Sequence, residues 1–266
     1  TSIYNNVTLA WQDVDVRMIS TYYDETENGL WIGTYGGGAV YIDLKQGNVY
    51  KYRQKSHNET RGITMDKDGY LWIATWHKGL MRSDHPFLHD HPESLSFDVA
   101  SNFKHSSPIL CMYNDTTQNT LWLGSMQGEL FIYDCDKQKC KVVNLLEFGA
   151  IWSVFIDSKR RVWIGGEKGL HLYIQESGEC VPFSIGNKTS VDAEERYCVK
   201  AIAESSDGRI WVGIENRGLG RVLPDRTIRM GYGKEQQLDK VDVLAIHATS
   251  DRELYIGYAN GLGTYL

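Results

Sequence analysis

An all-β fold, a six-bladed β-propeller of four-stranded antiparallel blades, is predicted by three features of the sequence. One phrase recurs six times, its copies stand about one blade apart, and the last copy stops one strand short while a spare strand precedes the first. The copies read GLWIGTYGGG from Gly29, YLWIATWHKG from Tyr70, TLWLGSMQG from Thr120, RVWIGGEKG from Arg161, RIWVGIENRG from Arg209 and ELYIGYANG from Glu253. Their anchor aromatics are Trp31, Trp72, Trp122, Trp163, Trp211 and Tyr255, at spacings of 41, 50, 41, 48 and 44 residues. A repeat of roughly 40–50 residues is the length of one four-stranded blade.

Each copy has the same internal order. Strand A alternates apolar and polar residues, as in VRMISTYY, CVKAIAES or VLAIHATS, which is the period of a half-buried strand. A polar turn follows, DKDG at Asp66–Gly69 or SSDG at Ser205–Gly208, where Gly supplies a positive φ and Asp caps the turn. Strand B is the W-I-G phrase. Strand C comes after a Gly-containing turn, as GAVYID, GLMRSD, GELFIY, GLHLYI, GLGRVL and GLGTYL. Strand D is looser: NVYKYR, CKVVNL, CVPFSI, TIRMGY. The anchor aromatic is expected to fill the space between neighbouring blades, and the Gly after it to permit close approach of the sheets. No segment shows a 3.6-residue period, so very little helix is expected.

Closure follows from counting strands. The final copy ends at Leu266 with strand C, and Ser2–Trp11 is a spare strand ahead of the first copy. Residues 1–11 are therefore expected to supply the outer strand of the last blade, a 3+1 closure that removes two exposed sheet edges. The blades fall at about 14–54, 61–104, 108–146, 150–186, 196–232 and 240–266 of a single domain spanning 1–266. Asp84–Ser107 is too short for a seventh blade and reads as an irregular strand D with a long loop.

Composition narrows the function. The 266 residues carry a net charge of −6 and no Lys/Arg cluster, which argues against a nucleic-acid partner. No apolar run approaches the roughly 20 residues needed to cross a bilayer, so no membrane contact is expected from this segment. The chain shows no signal peptide and begins at Thr1, and reads as a mature or excised segment. Cys111, Cys135, Cys140, Cys180 and Cys198 form no CxxC and no zinc spacing with His. Cys135 and Cys140 flank DKQK and either face each other across a hairpin or remain separate thiols. His85, His89 and His91 form a His/Asp cluster in the longest loop, either a metal site or a solvated stretch. No cofactor motif occurs, and neither GxSxG, HExxH nor a Walker A sequence is present.

The phrase L-W-I-G-T-x-x-G-G-L with its preceding D-x-x-G turn resembles the two-component regulator propeller repeat, through all six copies. The resemblance implies a periplasmic or extracellular sensor region of the Bacteroidetes-type hybrid two-component systems. Such chains usually carry more blades, then a further β domain, a membrane helix and a kinase, so this sequence reads as an excised piece of a sensor or as a stand-alone relative. An oligosaccharide ligand, neighbouring domains of a longer sensor chain and signalling through a homodimer are further implications.

The candidate site lies on the face shared by the B–C turns and the D–A connections, since variable loops on a rigid scaffold carry function. Its ligand-binding candidates are Tyr35, Trp76, His77, Trp152, Glu167, Glu215, Arg217 and Tyr258. Trp76 and Trp152, with Trp11, are the tryptophans outside the repeat position. They either stack on sugar rings or cover the top of the core. Arg17, Arg61 and Arg217 either meet acidic sugars or pair with Glu167 and Glu215. The functional reading is a ligand-sensing module without catalytic residues. A protein-interaction scaffold and a carbohydrate-active enzyme, using Glu167 and Glu215, are the alternatives.

Overall fold

The computed structural model describes residues 17–52, 59–104, 107–186, 196–233, 240–249, 253–258 and 261–265. Among the described residues the architecture is all-β, with helical geometry confined to 3-10 turns at Pro92–Ser94 and Leu146–Phe148. Six sheets follow one another along the chain, the blade series of a six-bladed β-propeller. They fall into two compact units, one of residues 1–125 and 131–142, the other of residues 126–130 and 143–266. The proposed closing strand, Ser2–Trp11, lies outside the described residues.

The first unit contains three four-stranded sheets in chain order. These are β1 (Met18–Asp24), β2 (Gly29–Thr34), β3 (Ala39–Asp43) and β4 (Val49–Tyr52); then β5 (Thr60–Met65), β6 (Leu71–Thr75), β7 (Gly79–Ser83) and β8 (Phe97–Val99). The third is β9 (Ile109–Asp115), β10 (Thr120–Ser125), β11 (Glu129–Asp134) and β12 (Lys139–Asn144), whose Glu129, Leu130, Val143 and Asn144 are assigned to the second unit. The second unit holds β13 (Ile151–Ile156), β14 (Val162–Gly166), β15 (Gly169–Tyr173) and β16 (Cys180–Pro182) as one sheet. Next come β17 (Ser184–Ile185), β18 (Val199–Glu204), β19 (Ile210–Ile214), β20 (Gly218–Val222) and β21 (Thr227–Tyr232). The last sheet has three described strands, β22 (Val243–Ala248), β23 (Leu254–Tyr258) and β24 (Gly261–Tyr265).

CVPFSI, expected as one outer strand, is split. Cys180–Pro182 pairs with β15, whereas Ser184–Ile185 pairs in parallel with β21 of the following sheet. The Phe183 N–H still donates to the Leu170 carbonyl of β15 at 3.0 Å, and the chain crosses immediately after it, where the Ser184 and Gly186 N–H groups donate to the Arg226 and Ile228 carbonyls and give the next sheet a fifth strand.

The repeat aromatics pack as expected, with one exception. Trp31, Trp72, Trp122, Trp163 and Trp211 are buried, but Tyr255 is 38% exposed. Trp31 meets Ile63, Leu71 and Ile73 of the following sheet, Trp163 meets Val199, Ile210 and Val212, and Trp211 meets Val243, Leu254 and Ile256. Burying a ring of roughly 200 Å² at about 25 cal/mol per Å² contributes up to about 5 kcal/mol per copy. The Gly two residues after the Trp is needed for this contact. A Cβ at Gly165 would stand 2.6 Å from Val199 Cγ1, and one at Gly213 would stand 2.5 Å from Val243 Cγ1.

The turn between the first two strands is tied to the anchor ring. Asp157 Oδ1 accepts the backbone N–H groups of Lys159 and Arg161, while its Oδ2 accepts the Trp163 indole N–H at 2.9 Å and Arg161 Nε at 2.6 Å. Asp66 does the same for Asp68, Tyr70 and Trp72. In the fifth sheet Ser205 Oγ accepts the Trp211 indole N–H at 3.1 Å. One buried side chain thus closes the turn and satisfies an indole that hydrophobic packing alone would leave without a partner.

The described part of the long loop, residues 84–104, is exposed over much of its length but anchored by the buried rings of Phe87 and Phe103. Phe87 stands edge-on to Trp31 at 4.9 Å, and Phe103 meets Phe131 at 5.2 Å, so the loop seals two inter-sheet cores.

Replacing Asp157 with Ala removes four hydrogen bonds from a buried turn and is expected to cost roughly 3 kcal/mol. Asp157→Asn, which keeps an acceptor, is expected to cost about half as much. Guanidinium melts of the two variants against the parent check both the size and the order.

Candidate functional site

In every sheet the first strand carries an irregularity near its start, between Met18 and Ser20, Thr60 and Gly62, Ile109 and Cys111, Ile151 and Ser153, Val199 and Ala201, and Val243 and Ala245. The residue passed over is Ile19, Arg61, Leu110, Trp152, Lys200 or Leu244. A bulge of this kind bends the strand and re-aims one side chain. The turn between the second and third strands is clamped to the same end. Its first N–H donates to a carbonyl just ahead of the bulge, from Tyr35 to Arg17, Trp76 to Glu59, Glu167 to Ala150 and Glu215 to Cys198, at 2.8–3.1 Å.

In the second unit these features assemble a cavity of about 530 Å³ lined by Trp152, Glu167, Arg196, Tyr197, Cys198, Lys200, Glu215, Asn216 and Arg217. Trp152 and Lys200 come from equivalent bulges of adjacent sheets, and the Lys200 ammonium lies 3.4 Å from the Trp152 ring centre. Its Nζ also stands 4.0 Å from Glu215 Oε2. Glu167 Oε2 accepts the Ala150 N–H at 3.4 Å, and the Asn216 N–H donates to Asp242 Oδ1 at 2.7 Å. The Trp152 indole N–H is buried and finds no acceptor among the described residues. The cavity thus offers carboxylates, an amide, three cations and an aromatic wall.

Two lining groups are held in their neutral forms. Burial pushes the Cys198 thiol up to about 11, so at neutral pH it is a protonated thiol and a poor nucleophile. Burial likewise raises Tyr197 to about 12, and its hydroxyl donates to the Phe183 carbonyl at 2.6 Å.

The sequence candidates separate into two groups. Trp152, Glu167, Glu215 and Arg217 line the cavity together. Tyr258, also in the second unit, instead packs against the Trp211 core. Tyr35, Trp76 and His77 lie in the first unit, Tyr35 and His77 exposed. Arg61 pairs with Glu59 at 2.6 Å and lies 4.7 Å above the Trp76 ring. Both candidate stacking rings therefore already carry a cation on one face. Lys200 was missed, although it occupies in CVKAIAES the place that Trp152 takes in its own strand.

His85, His89 and His91 do not converge. His85 lies beside Asp84, His89 beside Asp24 and Tyr41, and His91 beside Glu93. Among the described residues no three metal-ligating side chains come together. The five cysteines, Cys135 and Cys140 included, are free thiols.

A second cavity of about 510 Å³ is lined by Asn144, Leu145, Glu147, Phe148, Lys168, His171 and Cys180. Burial pushes His171 down to about 4, and its ring meets Phe148 at 4.7 Å.

The fold is a β-propeller, and the cavity between Trp152 and Arg217 is a polar one within its second unit. Residues 54–77 match the family described as two component regulator propeller, in agreement with the resemblance read from the repeats. Among solved structures, the chain is similar to the extracellular domains of two proteins from B. thetaiotaomicron, each named as a hybrid two component system. One matches with a TM-score of 0.72 and 18% identity over 95% of this chain and 32% of that one. The other gives 0.72 and 16% over 96% and 35%. Virginiamycin B lyase from Staphylococcus aureus, an inactive variant with quinupristin, gives 0.69 and 15% over 94% and 84%. At these identities the likeness is one of fold, and the chain spans about a third of the length of the two extracellular domains. No curated protein matches the sequence.

An imidazole near 6.5 in the unfolded chain and about 4 in the folded one is bound by more protons when unfolded. Its contribution is complete above pH 6.5 and is lost as pH falls through 4, worth roughly 2–3 kcal/mol. Denaturant midpoints from pH 7 to pH 4.5 are expected to fall less steeply in His171→Leu than in the parent.

Proposed function

We propose that this chain is the ligand-binding propeller of an extracytoplasmic two-component sensor, and that an oligosaccharide occupies the mouth built by Trp152, Glu167, Lys200, Glu215, Asn216 and Arg217. The observation that carries the reading is the convergence of Trp152 and Lys200 from equivalent bulges onto turn residues of the same two sheets. Sugar hydroxyls need donors and acceptors at close spacing beside a partly apolar wall, and this mouth provides both. Because Lys200 covers one face of the indole, Trp152 serves as an apolar wall, and recognition rests mainly on hydrogen bonds to the charged and amide side chains. Membership of a longer sensor chain, a periplasmic or extracellular location and a homodimeric signalling state belong to the same proposal. The family match at residues 54–77 supports it, and no helix of the described residues is long and apolar enough to cross a membrane.

One observation favours a second reading. Glu167 and Glu215 line the same cavity, and a glycosidase works with two carboxylates in one pocket.

Calorimetric titration against a panel of plant and host oligosaccharides separates the two. A saturable ligand is expected whose affinity falls at least tenfold, about 1.4 kcal/mol, in Trp152→Ala and in Lys200→Ala, and is unchanged in Trp76→Ala. Products accumulating during incubation, and lost in Glu167→Gln, would establish the enzyme instead. Binding that survives both mouth variants would refute the site.

A further inference from the structure

The strands that present the mouth at one end present a different surface at the other. There the turn after β13, the turn after β18 and the turn between β20 and β21 frame a cavity of about 620 Å³. Its lining contains five cations, Lys159, Arg161, Arg209, Arg221 and Arg226, and no carboxylate. The concentration is notable on a chain whose net charge is −6.

Neighbouring acids neutralise only part of this charge. Asp157 takes Arg161 Nε at 2.6 Å, and Asp207 takes Arg209 Nη1 at 2.8 Å. Asp225 is engaged by the N–H and hydroxyl of Thr227. Arg221 lies 5.5 Å from the Tyr232 ring centre. Among the described residues no carboxylate forms an ion pair with Lys159, Arg221 or Arg226. Like charges held in one groove repel, and the arrangement is relieved when an anion enters. Guanidinium groups bind sulfate, phosphate and carboxylate with paired hydrogen bonds, more selectively than an ammonium does.

The walls restrict the shape of that anion. Leu172, Phe183, Val222 and Pro224 give apolar surface between the charges. Phe183 is placed there by the crossover from β16 to β17, which turns an outer strand into a rim. A cavity of this volume, at the seam between two sheets, is of the size that holds a small molecule.

We propose that this groove is a second binding site, for a small polyanion whose sulfate, phosphate or carboxylate groups stand on a ring-shaped or apolar frame. The site is separate from the oligosaccharide mouth, at the opposite ends of β13 and β18.

Sucrose octasulfate is a direct probe, with neutral sucrose, inorganic sulfate and a hexaglutamate peptide beside it. Titration of the intact chain is expected to show saturable binding of the octasulfate that weakens as salt rises, and no binding of sucrose. The double variant Lys159→Glu with Arg226→Glu is expected to lose at least tenfold in affinity, whereas Trp152→Ala binds as the parent does. Arg226→Gln, a milder change at an exposed residue, is expected to lose severalfold and serves if the double variant does not fold. Affinity unchanged in both groove variants would overturn the proposal. So would inorganic sulfate binding as tightly as the octasulfate, meaning an adventitious ion only, or hexaglutamate binding more tightly, meaning an acidic protein segment.

Discussion

Asp157 sits at the end of a strand with its carboxylate buried, accepting two backbone N–H groups, a guanidinium and the indole of Trp163. The largest ring of the blade core is thereby held to the turn between the first two strands of the same sheet. Asp66 repeats the arrangement with Trp72, and Ser205 performs a neutral version with Trp211. Elsewhere the arrangement differs: the Trp122 indole N–H donates to Thr120 Oγ1 at 3.3 Å, and the Trp31 indole N–H has no acceptor among the described residues. An inter-sheet contact that depends on an unsubstituted backbone at Gly165 or Gly213 tolerates little displacement. The carboxylate lock supplies the orientation that such a contact demands.

The consequence is an asymmetry between the two ends of the locked sheets. At the locked end Asp66, Asp157 and Ser205 each close a turn and accept an indole N–H. At the other end a bulge and a clamped turn set only the backbone, so the side chains differ from sheet to sheet: Ile19, Arg61, Leu110, Trp152, Lys200, Leu244. Two adjacent sheets of the second unit use that freedom to bring an indole and an ammonium to 3.4 Å over a cavity lined with opposite charges. In the first unit the same freedom is spent differently, with Arg61 over Trp76 and bound to Glu59.

Much of this architecture was legible in the sequence because it repeats. The six repeated phrases marked the sheets, and the Gly two residues after most of the anchor rings implied the close packing seen at Gly165 and Gly213. What does not repeat was harder to read. Tyr255 takes the anchor position yet stays partly exposed. The split of CVPFSI depends on the neighbouring edge of β21, which the segment itself does not encode. The polar-looking DHPFLHDHP loop buries Phe87 because an inter-sheet core lies beneath it. Trp152, Glu167, Glu215 and Arg217 were found as turn and strand-start residues, whereas Lys200 looked like the ordinary polar half of an alternating strand. Its role follows from a bulge, and a bulge leaves no composition signal.

The account's central claim is a rigid locked end supporting an adaptable binding end, and amide hydrogen exchange reads both at once. In the free protein the amides of Asp157–Arg161 are expected to exchange slowly and those around Arg196–Lys200 and Glu215–Arg217 faster. Saturation with a binding oligosaccharide is expected to slow the second group, together with Ala150–Trp152 and Glu167, and to leave the first unchanged. Fast exchange at Asp157–Arg161, or protection confined to the turns at Tyr35 and Trp76, would contradict the account.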